Sequence, residues 1–259
     1  MKNIQRIFLI AILLLTSYRT QAQLNSALWV TLGAEMRQGS YSGVNAFYTA
    51  DRYNMLNRTT FRFEAIEPKT INMSIDATGL ITFSKQNFGE SDTTFQHVWD
   101  RPRFRWCMYK LYGDKQSKTR FGVGGQINWR IFGVGQELGA YKETYGRSDK
   151  AGPITAKGRF GIGPNIHLAH QFNKRIYSRL SLYADYEPGM RNNGINIYPE
   201  FLVIGRYKAV GLMANIAYRY SYFIGDPNLG PYVSKPKNSA SSNTIMYGIG
   251  AALNLGKFM

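Results

Sequence analysis

Residues 71–83 read INMSIDATGLITF, and that string separates by parity. Odd positions carry Ile71, Met73, Ile75, Ala77, Gly79, Ile81 and Phe83. Even positions carry Asn72, Ser74, Asp76, Thr78, Leu80 and Thr82, with Leu80 the one lapse. Successive side chains of a β-strand point to opposite faces, so this stretch is a strand with one apolar and one polar face. Strands of soluble domains centre on about 5–6 residues, whereas a tilted strand crossing a bilayer needs roughly 9–11 for the hydrocarbon layer alone. Length and alternation together point to a membrane-crossing strand.

The same pattern recurs outward in both directions. Residues 120–131 set Phe121, Val123, Ile127, Trp129 and Ile131 against Arg120, Gln126, Asn128 and Arg130. Residues 28–37, 59–65, 156–168, 176–186, 195–206, 210–222 and 245–255 alternate likewise, and 44–53, 104–112 and 134–141 do so more weakly. The total is about twelve strands (ten to fourteen), and single-chain bacterial barrels have an even number. Tight connections are expected at 54–57, 132–133, 173–174 and 206–209, and longer polar ones at 142–154, 187–194 and 225–243. Short turns on one side and long loops on the other are the asymmetry of outer-membrane barrels. Two segments break the rhythm: 67–69 is short where a long loop is due, and 85–103 is long where a turn is due. Either a strand has been split wrongly or that side carries an insertion.

The first residues set the compartment. Lys2 and Arg6 precede the apolar run 7–15 (IFLIAILLL), and a polar stretch ends in Thr20-Gln21-Ala22. That order of charge, apolar core and small residue is a secretory signal peptide, residues 1–22, leaving 23–259 as one barrel domain. The run is far below the roughly 20 residues a membrane helix needs. Cys107 is the only cysteine, so no intramolecular disulfide forms. Gly (26), Tyr (18) and Phe (15) are abundant. They disfavour long helices and suit twisted strands with aromatic girdles.

In lipid every backbone amide must be paired, so only helices or closed barrels cross. A chain with alternation throughout and no spanning helix is therefore expected to be all-β, a closed antiparallel transmembrane barrel. The alternative is a soluble sandwich or lipocalin-like barrel with the apolar face inward. Aromatics near strand ends (Tyr141, Tyr186, Tyr218, Tyr220, Tyr222) and a terminal amphipathic strand with Phe258 penultimate favour the membrane barrel. Phe258 is the candidate membrane-insertion signal. On these features the chain resembles the porin-like outer-membrane barrels of Gram-negative bacteria. The Gln-Ala-Gln around the cleavage site and the Gly248-x-Gly250-x-x-Leu253-Asn254-Leu255 terminal strand are most similar to those of Bacteroidota. The resemblance implies the cell outer membrane and the architecture, with outer-membrane lipids, lipopolysaccharide and the barrel-assembly machinery as partners.

Function is read from the polar stripes. The whole chain carries +16, from 32 Lys+Arg and 16 Asp+Glu. Removal of Lys2, Arg6 and Arg19 leaves 29 − 16 = +13. An exported protein is not offered nucleic acid, so anionic lipids or anionic solutes are the expected counterparts. If the apolar faces meet lipid, the lumen receives Arg37, Arg62, Arg120, Arg130, Lys157, Arg159, Arg179, Arg206 and Arg219, with Glu35, Glu64, Asp76, Asp185 and Glu200 as its acids. Such an interior would favour anions. The leading expectation is a small porin-like channel or transport component with an anion preference. The second is a non-conducting structural or interaction barrel of an envelope or secretion assembly, its bore filled by Arg–carboxylate pairs. A barrel hydrolase or protease comes third. No catalytic set is marked, since no His-x-Ser occurs, and His167 and His170 project to opposite faces of one strand. No metal or cofactor is implied.

Overall fold

The computed structural model describes residues 27–42, 50–66, 71–82, 90–91, 94–114, 117–136, 157–189, 193–224 and 239–255. Eleven strands occur among them. They are β1 (Ala27–Ser42), β2 (Ala50–Ile66), β3 (Ile71–Thr82), β4 (Glu90–Ser91), β5 (Thr94–Tyr112), β6 (Thr119–Gln136), β7 (Lys157–Asn173), β8 (Ile176–Glu187), β9 (Asn193–Tyr207), β10 (Val210–Ile224) and β11 (Ser239–Asn254). All pairings are antiparallel. Each long strand pairs with its sequence neighbour, β1 pairs with β11 from Trp29↔Asn254 to Ser42↔Ser241, and β3 pairs with β5 from Ile71↔Lys110 to Thr78↔Arg103. Those last two pairings close ten strands into a barrel. The two-residue β4 only extends the β5 hairpin.

The barrel has ten staves where the alternation gave about twelve, because two pairs of expected strands are single strands. The turn expected at 54–57 lies inside β2. There Glu35↔Arg58 is followed by Arg37↔Met55, so β2 advances three residues while β1 advances two. Such a bulge inserts one residue and flips the phase of every side chain beyond it. In sequence, a phase flip looks like an interruption. The turn expected at 132–133 lies inside β6, which holds register with β7 without a break from Thr119↔His170 to Phe132↔Lys157. The aromatic Phe132 occupies a position of the polar phase, which ended the alternation on paper.

With ten strands, both anomalies of connection length disappear. Connections 67–70, 113–118, 174–175 and 208–209 share the end that holds the starts of β1 and the finish of β11. Connections 43–49, 83–93, 137–156, 188–192 and 225–238 share the other. The segment 85–103 is no insertion; β5 already begins at Thr94. The short hairpins are chemically specified. Asn173 Oδ1 accepts from the amides of Arg175 (2.7 Å) and Ile176 (3.0 Å), and Lys208 takes a left-handed φ of 57° in the two-residue turn after β9.

The apolar stripes face outward. Leu32, Leu212 and Ile249 are 64%, 67% and 64% exposed, and Phe121, Ile162, Leu182, Ile197 and Tyr247 are exposed beside them. A soluble protein does not expose a continuous girdle of this kind. The alternating burial along β8 and β9 puts the polar residues inside. Close wall packing is set by glycines at a few points. A Cβ on Gly163 would lie 2.0 Å from the Ala184 carbonyl oxygen, and one on Gly124 1.9 Å from that of Met108.

Candidate functional site: a packed polar bore

The interior is layered. At the end bearing the short turns, Trp29, Ile66, Tyr109, Leu111, Ala169, Tyr177, Leu202, Ile204, Met213 and Ala252 form one buried apolar cluster inside the barrel. Above it lies a belt of arginines and carboxylates. Arg179 Nη1 donates to Glu64 Oε2 (2.5 Å) and to the Tyr109 hydroxyl (3.1 Å), and its Nη2 donates to the Tyr183 hydroxyl (3.3 Å). Glu200 is the hub. It accepts from Arg62 (2.5 Å), Arg105 (3.4 Å), the Tyr183 hydroxyl (3.3 Å) and Asn215 Nδ2 (3.3 Å). Asp76 accepts from Arg62 (3.3 Å), Arg103 (3.0 Å) and Arg105 (3.1 Å). Arg103 also stands 3.8 Å from Glu35, which holds Arg37 two residues along the same face of β1.

A third layer sits toward the long connections. Arg130 grips Glu187 through Nε (2.8 Å) and Nη2 (3.1 Å), and that Nη2 also reaches Asn196 Oδ1 (2.9 Å). Arg159 Nε donates to Glu187 Oε2 at 2.7 Å, the oxygen that Arg130 Nη2 also reaches, with its guanidinium 4.9 Å from the Phe223 ring centroid. Asp185 accepts from Asn196 Nδ2 (2.6 Å) and Gln126 Nε2 (3.4 Å).

All nine buried cations among the described residues are arginines. The choice is physical. A guanidinium keeps its charge when desolvated and offers five donors in a planar fork, so one side chain bridges two or three acceptors across the bore. Lysine would offer a point charge at a higher desolvation cost. Arg105 stacks as well as pairs: its guanidinium lies 3.9 Å from the Tyr183 ring centroid and 4.5 Å from that of Tyr198.

Arg37, Arg62, Arg120, Arg130, Arg159, Arg179 and Arg219 are all buried inside, as are Glu35, Glu64, Asp76, Asp185 and Glu200. Arg206 differs. It shares the inward parity of β9 but sits at the mouth, where its Nε donates to the Lys174 carbonyl (2.6 Å) and clasps the adjacent hairpin. The backbone of Lys157 opens β7, while its side chain and Phe258 lie outside the described residues. Three central groups were not read from sequence. Arg103 and Arg105 open a stretch whose inward face then turns to Cys107, Tyr109 and Leu111, which hides the polar phase; the Arg-x-Arg spacing itself was the usable signal. Glu187, which the polar stretch 187–194 places in a connection, is the last residue of β8.

One arrangement has the order of a hydrolase relay. The Ser181 hydroxyl is 2.8 Å from His167 Nδ1, His167 Nε2 is 3.0 Å from Asn165 Oδ1, and Asn165 Nδ2 donates to the Gly125 carbonyl (2.7 Å). Each of the three side chains is almost fully buried, and the Tyr109 ring packs 4.0 Å from the imidazole. A nucleophile must meet a substrate, and Ser181 is 1% exposed on the inward face of β8, within the packed bore. The chain of bonds ties β6, β7 and β8 together. His170, on the other face of β7, bonds Thr119 (2.7 Å). No cluster of three metal-ligating side chains exists among the described residues.

Comparisons with known proteins bear on the architecture. No protein-family profile and no curated protein matches the chain in sequence. Solved structures do match. The outer membrane protease OmpT of Escherichia coli is 8% identical at a TM-score of 0.45, covering 91% of this chain and 100% of its own. The outer membrane protein OprG of Pseudomonas aeruginosa is 10% identical at 0.35 (90% and 98%), and outer membrane protein W of E. coli 13% identical at 0.35 (88% and 97%). Each is a bacterial outer-membrane protein. The likeness is one of barrel architecture and extends no further.

Proposed function

We propose that this chain is a non-conducting outer-membrane barrel that holds its long connections at the cell surface as a docking platform for an envelope or secretion assembly. One observation carries the reading: the bore is crossed by a hydrogen-bonded arginine–carboxylate belt stacked on an apolar plug. An anion-preferring channel needs arginines that face water. These face carboxylates at hydrogen-bond distance, and an ion would still have to pass the cluster around Trp29 and Ile204. The outward apolar girdle supports the membrane location, because only lipid covers such a surface at no cost. Export through residues 1–22 and recognition of the terminal strand by the barrel-assembly machinery belong to the same proposal. The platform lies in connections 137–156 and 225–238, the two longest in the barrel.

Planar-bilayer recording of the folded mature chain tests it. The expected result is no conductance step above that of lipid alone. Reproducible steps would overturn the reading, and anion-selective steps would reinstate the channel. Replacement of 137–156 by a short Gly-Ser linker is expected to release any co-purifying envelope partner while leaving the barrel folded.

A further inference from the structure

Four cations stand together where the short hairpins after β7 and β9 meet. Lys174 and Arg175 form the first turn, Arg206 is the penultimate residue of β9, and Lys208 opens the second turn. The hairpins are tied side by side, since the Arg206 amide donates to the Arg175 carbonyl (2.8 Å) and its Nε to that of Lys174 (2.6 Å). We propose that Lys174, Arg175 and Lys208, exposed around Tyr207, bind the phosphate of an anionic phospholipid headgroup in the membrane leaflet at this end of the barrel. Such a site requires only the membrane location and is independent of whether the bore conducts.

Charge is the first support. No Asp or Glu occurs in residues 168–178, 201–212 or 252–255, which build both hairpins and the strand ends beside them. Like charges gathered without an acid raise the local potential and favour an anion among them. Ring geometry sets the depth. Tyr207 is 62% exposed on the outward face of β9, and its cross-strand partner is the lipid-facing Val210. The Arg175 guanidinium lies 5.9 Å and Lys208 Nζ 5.6 Å from the centroid of that one ring. A tyrosine at the edge of an apolar girdle marks the headgroup level, and long basic side chains reach the same level with their stems on apolar surface. A soluble anion gains nothing from the apolar wall beside the cluster, whereas a lipid phosphate brings acyl chains that lie along Val210 and Leu212. The backbone points the same way. Lys208 holds a φ of 57°, a region that Gly, Asn or Asp enters more readily, so the turn carries a charge there at a conformational cost. At the opposite end of β10 and β11 the outward face carries Tyr218, Tyr220, Tyr222, Ser241 and Asn243 and no cation, so the basic character belongs to this end of those strands.

The test uses the folded mature chain in detergent micelles, read by native mass spectrometry as phosphatidylglycerol or phosphatidylcholine of equal chain length is added. Both carry the phosphate, but choline adds a cation that the cluster repels. Phosphatidylglycerol is expected to bind about tenfold more tightly, and the preference should fade at about 1 M salt. Lys174→Gln, Arg175→Gln and Lys208→Asn together should bring the two lipids within about twofold of each other; Asn is chosen because it tolerates the left-handed turn. Lys110→Gln removes a cation that stands 5.7 Å from the Tyr112 ring on β5, and should leave the preference intact. Equal affinity of the parent chain for both lipids, or a preference that survives the triple substitution, would overturn the proposal. So would an equal fall with Lys110→Gln, which would reflect net charge alone, or displacement of the lipid by an equal concentration of inorganic phosphate, which would mark a site for free anions. Should the triple variant fail to fold, Arg175→Gln alone decides: the preference is expected to drop by about half or more, and an unchanged preference refutes the site.

Discussion

Replacing Glu200 with Ala removes the acceptor that most of the central belt shares. Its carboxylate takes hydrogen bonds from Arg62 (2.5 Å), Arg105 (3.4 Å), Tyr183 (3.3 Å) and Asn215 (3.3 Å), and the side chain is 1% exposed. Breaking a buried pair by deleting one partner costs about 3–5 kcal/mol, because the survivor keeps its charge without compensation. Here the survivors retain a second acceptor, since Asp76 stands 3.3 Å from Arg62 and 3.1 Å from Arg105. The expected loss is therefore at the lower end, about 3 kcal/mol, which is more than a hundredfold in the folding equilibrium. Urea unfolding of the barrel in lipid vesicles, followed by tryptophan fluorescence, measures it. The salt dependence is the sharper readout. In a water-filled lumen, raising a bulky-anion salt from about 0.1 to 1 M shortens the Debye length from roughly 10 to 3 Å and would erase much of the effect. In a packed bore the loss persists. A loss below about 1 kcal/mol, or one that collapses at high salt, would refute the packed-bore reasoning.

Other substitutions probe the wall. Leu182→Arg, mid-strand on the lipid face, is expected to cost about 2–4 kcal/mol in vesicles, against roughly 0–1 for Leu212→Arg near a strand end; equal costs would contradict the assigned membrane depth. Gly163→Val should destabilise by about 1–3 kcal/mol, as overpacking does, because its Cβ would strike the Ala184 carbonyl, whereas Gly205→Ala meets nothing within 4 Å and should stay within about 0.5 kcal/mol of the parent. Heat-modifiable migration on gels reads both. The Cys107 thiol, 1% exposed and 3.8 Å from Gln126 Oε1, should resist a water-soluble maleimide in the folded barrel and react once unfolded in detergent; labelling of the folded form would show a wet lumen.

The alternation of 71–83 and 120–131 determined the fold class by itself, because a strand's side-chain period is two whatever surrounds it. Choosing lipid over a dry core for the apolar stripe followed from strand length, and the burial of Arg62, Glu64 and Asp76 against the exposure of Leu182 and Ile197 agrees with it. The strand number was not legible. A bulge opposite Glu35–Arg37 shifts phase without ending a strand, and only the pairing partner distinguishes that from a turn. Nor was the state of the bore. A list of inward arginines is the same whether they face water or carboxylates. That difference arises from which residues the barrel's closure brings across the lumen, Arg62 to Glu200 at a separation of 138 residues and Arg179 to Glu64 at 115. The apolar plug was hidden for a related reason: Leu202 and Ile204 occupy inward positions that alternation assigns to polar residues, and only the tertiary structure shows that they meet Trp29 and Ile66 there. Local pattern fixes which way a side chain points, and closure of the sheet fixes what it meets.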